Sequence, residues 1–110
     1  IDARHPKRFS GEAPEQRVNL RSGHIPNSVN IFYKLLLNEQ KCLKTKLELL
    51  SIFLEAGIDL DKPIITSCGS GVTASIIILA LKQLDHNQTA LYDGSWSEWG
   101  LRDDLPIATN

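Results

Sequence analysis

The chain has 110 residues, 42% hydrophobic and 23% charged, with a formal net charge of −1. That length supports one globular domain, residues 1–110, with a single core, and the interspersed charge leaves no footprint for nucleic acid. No apolar run approaches the roughly 20 residues of a membrane span, no signal-peptide pattern opens the chain, and no Cys or His spacing fits a metal centre or calls for a cofactor.

The chain contains no Met and opens on Ile1-Asp2-Ala3, which reads as the end of a strand and points to a piece of a longer protein. Pro6 suits the first turn of a short helix carrying Lys7, Arg8 and Phe9. From Ser10 to Ser28 the breakers Gly11, Pro14, Gly23 and Pro26 predict an irregular segment, which at that length is more often functional than decorative. Val29-Asn30-Ile31 reads as a short strand, followed by a helical turn around Tyr33 to Leu37. Thr45 and Glu48 have capping-box spacing at the head of a helix whose Leu47, Leu50 and Leu54 repeat at helical intervals beside Leu49 and Phe53, and Gly57 stops it.

Pro63-Ile64-Ile65-Thr66-Ser67 is short and apolar, as a buried parallel strand would be. A helix from about Ala74 to Leu84 follows, and its Ile76-Ile77-Ile78 cluster makes it dependent on burial. Thr89 to Tyr92 reads as the last strand, and Ser95 with Glu98 as a second capping box opening a short helix with Trp96 and Trp99. Alternating strands and helices imply an α/β fold: a parallel sheet with helices on both faces and ligands at the carboxyl ends of its strands.

Cys68 stands at one of those ends, in Cys68-Gly69-Ser70-Gly71-Val72-Thr73 between the Ile64 strand and the Ala74 helix. Backbone N–H groups and the positive end of a helix favour thiolate over thiol there, and Gly69 and Gly71 let the backbone close around the sulfur. Such a thiolate supports phosphate-ester cleavage, sulfur transfer or redox sensing. Cysteine-dependent phosphatases place an arginine six positions after the nucleophile; here that position is Ala74, which disfavours the first. In sulfur transfer the thiolate takes a sulfur atom from a donor as a persulfide, and the same N–H ring serves both anions. A non-catalytic sulfur-carrier or redox-sensing module keeps the cysteine without turnover, and a pure interaction domain leaves the loop unexplained. Two distant cysteines, Cys42 and Cys68, argue against a disulfide framework and fit a reducing compartment.

Cys68-Gly69-Ser70-Gly71-Val72-Thr73-Ala74 resembles the active loop of the 3-mercaptopyruvate sulfurtransferases of the rhodanese superfamily. The likeness extends to Asp2-Ala3-Arg4, Arg8-Phe9, Pro14-Glu15, Gly23-His24-Ile25-Pro26, Asp93-Gly94-Ser95-Trp96 and Asp104-Leu105-Pro106, several blocks in the right order. It implies a rhodanese-like fold with four to five strands, and the second, catalytic domain of a tandem pair whose upstream domain is not in this chain. By the same resemblance Cys68 is the persulfide-forming nucleophile, Arg8 and Arg17 bind the donor, and Ser70 relays protons. Gly69 and Ser70 stand where thiosulfate-preferring rhodaneses carry Arg and Lys, so the implied donor is 3-mercaptopyruvate, with thiosulfate second. The implied acceptor is a thiol such as thioredoxin or glutathione, or cyanide, and the implied setting is cytoplasmic. Ser70 as a mere loop residue and Arg8 or Arg17 as solvated surface charges are the plainer alternatives. His24, Asp2, Arg4, Trp96 and Trp99 read as structural and Cys42 as non-catalytic. Asn27 and Phe32 depart from the family pattern, at positions usually Gly and commonly Pro.

Overall fold

The computed structural model describes residues 1–109. A short helix α1 (Pro6–Phe9) leads through an irregular segment to a 3-10 turn (Tyr33–Leu36). Then come α2 (Lys46–Glu55), β1 (Ile64–Thr66), α3 (Ala74–Gln83), β2 (Thr89–Leu91) and α4 (Ser95–Trp99). β1 and β2 pair in parallel, Ile64 against Thr89 and Thr66 against Leu91. Asp2 bridges Ser67 on one side and Asn30 on the other, both parallel. Four parallel segments therefore lie side by side in the order 30, 2, 64–67, 89–91, with the expected strands at Ile1–Ala3 and Val29–Ile31 reduced to isolated bridges. The α/β class and the parallel sheet are as the sequence implies.

The core lies where α3 packs on the sheet and on the 3-10 turn, with α2 closing against that turn: Leu36, Leu49, Phe53, Ile64, Ile77 and Leu81 are all buried in one cluster. Each fully buried aliphatic or aromatic side chain contributes roughly 1.5–3 kcal/mol. The leucine repeat misleads about which side of α2 packs inward. Leu47 and Leu54 are exposed, while the i, i+4 pair Leu49 and Phe53 faces the core. The predicted Thr45–Glu48 capping box is present, each residue's side chain taking the other's backbone N–H. Gly57 follows the helix with φ 82°, the left-handed conformation of a helix stop.

On the opposite face α4 covers the carboxyl end of the sheet. The Trp96 ring lies 4.8 Å from the Arg4 guanidinium carbon, and Arg4 is paired with Asp2 at 2.9 Å, both buried. The amino end of that face is open, with Ile65 63% exposed. Asn27 has φ 68°, which explains why it can stand where relatives of the motif have glycine: Asn tolerates the left-handed region better than other side-chain-bearing residues.

Candidate active site

β1 delivers the chain to Cys68 and α3 takes it away at Ala74, so the loop between them sits at the carboxyl end of the sheet. Two backbone N–H groups of α4 fix it from behind: Trp96 donates to the Cys68 carbonyl and Ser97 to that of Gly69, each at 2.9 Å. Ser95 adds a third tie. Its hydroxyl accepts the Cys68 N–H at 3.0 Å and donates to the Tyr92 carbonyl at 2.8 Å. The predicted capping role of Ser95 is therefore incorrect: Gly94 is the N-cap, and Ser95, at φ 51°, spends its hydroxyl on the cysteine's backbone. Glu98 likewise turns away from the cap to accept the Tyr92 hydroxyl.

With the carbonyls engaged behind, the loop's N–H groups turn toward the sulfur. Gly71 donates to Sγ at 2.9 Å. Only glycine fits there: φ is 95°, and a Cβ would stand 2.6 Å from the Asp93 carbonyl oxygen. Burial pushes the Cys68 thiol up, yet the Thr73 hydroxyl, then the N–H groups of Ala74, Gly71 and Ser70, outweigh it and hold the pKa below the ordinary thiol value. Thr73, expected only as part of the loop, is thus the side chain that does most to lower the Cys68 pKa. Cys68 is 1% exposed and packs with the core, so the sulfur lies beneath the loop and not out in the opening.

Above the loop is an open cavity of about 740 Å³, within the range of small-molecule sites. Of the expected site residues, Arg8, Arg17, Gly69, Ser70 and Thr73 line it, while Cys68, Gly71 and Val72 do not. Arg8 is held by Glu15, which accepts from Nη2 at 2.9 Å and from Nε at 3.3 Å. Its guanidinium overhangs Gly69, where a Cβ would stand 3.1 Å from Nη2 and 3.2 Å from Nη1. Arg17 is exposed and has no acidic partner within salt-bridge range among the described residues. Ser70 is exposed on the cavity wall, and Val72 of the same loop points outward.

His24 is buried, stacks on Phe9 at 3.6 Å and bonds to the Phe9 carbonyl through Nδ1, which ties the irregular segment to α1. Cys42 is exposed on a surface turn. Trp96 is buried and donates to the Arg21 carbonyl; Trp99 donates to that of Pro106. Among the described residues, no cluster of three or more His, Cys, Asp or Glu is placed to hold a metal. Glu15 is the site residue the sequence did not single out. Its signal there is membership of the Pro14-Glu15 block that carries the family resemblance, with no role attached to it.

The sequence profile of the rhodanese-like domain matches residues 1–102. The chain belongs to the rhodanese family. This rhodanese domain is 53% identical over 107 residues to the 3-mercaptopyruvate sulfurtransferase of Escherichia coli K12, covering 97% of the chain and 38% of that protein. It is 47% identical to the mitochondrial thiosulfate/3-mercaptopyruvate sulfurtransferase 1 of Arabidopsis thaliana, covering 97% of the chain and 28% of the relative. Among solved structures, Tum1 of Saccharomyces cerevisiae superposes with a TM-score of 0.86 at 39% identity, over 99% of the chain and 39% of Tum1. The domain thus spans well under half the length of the relatives it matches.

Proposed function

We propose that this rhodanese domain is a sulfurtransferase whose donor is 3-mercaptopyruvate and whose carrier is a persulfide on Cys68. The observation that carries this reading is the Gly71 N–H donating to Cys68 Sγ at 2.9 Å in a loop at the carboxyl end of β1, a contact that favours thiolate over thiol despite the burial of the sulfur. In the first half-reaction the Cys68 thiolate attacks the donor's sulfur. A sulfur–sulfur bond forms and the donor's carbon–sulfur bond breaks, its electron pair leaving on carbon as the enolate of pyruvate. Arg8 and Arg17 hold the carboxylate and the developing enolate oxygen by charge-assisted hydrogen bonds, and Ser70 on the cavity wall relays the proton that converts enolate to pyruvate. In the second half-reaction an acceptor thiolate takes the outer sulfur and Cys68 returns as thiolate, a ping-pong sequence.

Charge at the cavity favours a monoanionic donor over dianionic thiosulfate. Asp2 balances Arg4, and Glu15 balances Arg8, which leaves Arg17 as the single uncompensated arginine. Thiosulfate remains the second donor to compare, since the Arabidopsis relative is named for both. The cavity exceeds what a seven-heavy-atom donor fills, which leaves room for a small thiol such as glutathione, the tip of a thioredoxin, or cyanide. An upstream rhodanese domain closing over exposed Arg17 and Ser70 would exclude water from the enolate. A reducing, cytoplasmic setting belongs to the same reading, because the mechanism needs a free thiolate.

Intact-mass spectrometry after incubation with 3-mercaptopyruvate tests the central step. The expected result is a gain of one sulfur atom, removed by added thiol and absent in Cys68→Ser. No added sulfur on the wild-type protein would overturn the reading.

A further inference from the structure

We propose that Glu15 is a positioning residue that sets the donor affinity of the site by holding Arg8 over the cysteine loop; this rests on the sulfurtransferase reading above. Arg8 alone is a poor anchor. Its side chain is 40% exposed, and a free arginine loses up to about 2 kcal/mol of rotamer entropy when it is fixed on binding. Glu15 removes that cost in advance. Its own side chain is 4% exposed, and it grips the side-on edge of the guanidinium through Nε and Nη2. The end-on edge, Nη1 with the second proton of Nη2, stays free. Those two terminal nitrogens, and not the guanidinium carbon at 3.6 Å, come nearest to the space above Gly69. The free edge of Arg8 is therefore presented to the loop, oriented for a carboxylate.

Glu15 is in turn supported from behind. Arg4 is fixed by a two-pronged pair with Asp2, by the Gly23 carbonyl at 2.6 Å and by the Trp96 ring. Its remaining nitrogen, Nη1, is buried, has no hydrogen-bond partner among the described residues, and faces Glu15 Oε2 at 3.8 Å. A buried carboxylate between a fixed guanidinium and a mobile one transmits the rigidity of the first to the second. The line of support runs Asp2, Arg4, Glu15, Arg8, and these four side chains alternate in charge up to the loop.

The two effects of losing Glu15 differ in sign, which makes the idea testable without turnover. Neutralising a carboxylate in the cavity wall should, through the field alone, draw anions in. Releasing Arg8 from its orientation should do the reverse. With Cys42→Ser leaving Cys68 as the sole thiol, the alkylation rates by anionic iodoacetate and neutral iodoacetamide are compared. In Glu15→Gln the iodoacetate-to-iodoacetamide ratio is expected to fall about threefold or more, toward the value of Arg8→Ala, with the double variant little below either single one. A ratio that rises or stays level, or losses that multiply in the double variant, would overturn the proposal. Should Glu15→Gln fail to fold, Glu15→Asp keeps the charge and withdraws it by one methylene; a lowered ratio is expected again, and an unchanged one overturns the idea.

With mercaptopyruvate, Glu15→Gln is expected to raise KM about tenfold while kcat stays within about threefold, a split that general loosening of the fold would not give. If the wild-type protein takes up no sulfur, the sulfurtransferase reading fails while the alkylation ratio still decides the role of Glu15.

Discussion

Two opposed influences meet at Cys68, and the order in which they act with pH has a measurable sign. Burial favours the neutral thiol; the Thr73 hydroxyl and the N–H groups of Ala74, Gly71 and Ser70 favour the anion and prevail, so the folded pKa lies below the unfolded one. The stabilisation this gives is complete above the ordinary thiol pKa and is lost as pH falls through the lowered value. Denaturant melts of wild type and Cys68→Ser should therefore diverge in favour of wild type as pH rises across that window. Thr73→Val should narrow the window and reduce kcat/KM by about tenfold, the size of one hydrogen bond to a charged group. At Gly69 the space above the Cα belongs to the Arg8 guanidinium. Gly69→Ala should push Arg8 aside and raise the mercaptopyruvate KM several-fold, checked by steady-state kinetics. The cysteine and its glycines were legible in the sequence because a thiol between a β-type run and a helix-type run leaves few alternatives. Thr73 was not, because which loop hydroxyl meets the sulfur depends on the curvature of the loop and not on spacing.

Elements with a strong local signature appear where the sequence places them: α2 behind its capping box, α3 from Ala74, and β1 as a short apolar strand. α4 shows the limit of local reading. Ser95 and Glu98 have capping-box spacing, but a buried backbone N–H at Cys68 and a phenol at Tyr92 compete for their side chains and win. The Tyr92–Glu98 contact raises the Tyr92 pKa to about 12, through burial first and the neighbouring carboxylate second, so the phenol stays a donor across the physiological range. Because Ser95 satisfies a buried N–H and carries φ 51°, two substitutions should rank predictably. Ser95→Ala is expected to cost about 1–3 kcal/mol for the orphaned N–H and retain the backbone strain. Ser95→Gly loses the same bond but relieves the strain, and should melt closer to wild type. An equal loss in both would place the whole effect on the hydroxyl.

At the scale of the molecule, the sheet is packed unequally on its two sides, and adjacent residues of β1 should report it. Ile64 is buried in the core cluster on the face that α3 packs against, and Ile64→Ala is expected to cost about 2–5 kcal/mol. Ile65, on the open side, should tolerate Ile65→Thr within about 0.5 kcal/mol in the same chain, as measured by thermal or denaturant unfolding. The sequence foretold the parallel layers but not this asymmetry, since Ile64 and Ile65 are identical in kind and only the face of the sheet each one occupies separates them. Cys68 lies deep beneath the cavity floor, where 1% of the residue meets solvent. A sulfur atom added to Sγ stands about 2 Å farther along the bond. On the sulfurtransferase reading proposed above, the loaded carrier would hold its reactive atom beyond the sheltered position of Sγ. On that same reading an acceptor would tell a charged carrier from a spent one by reach alone.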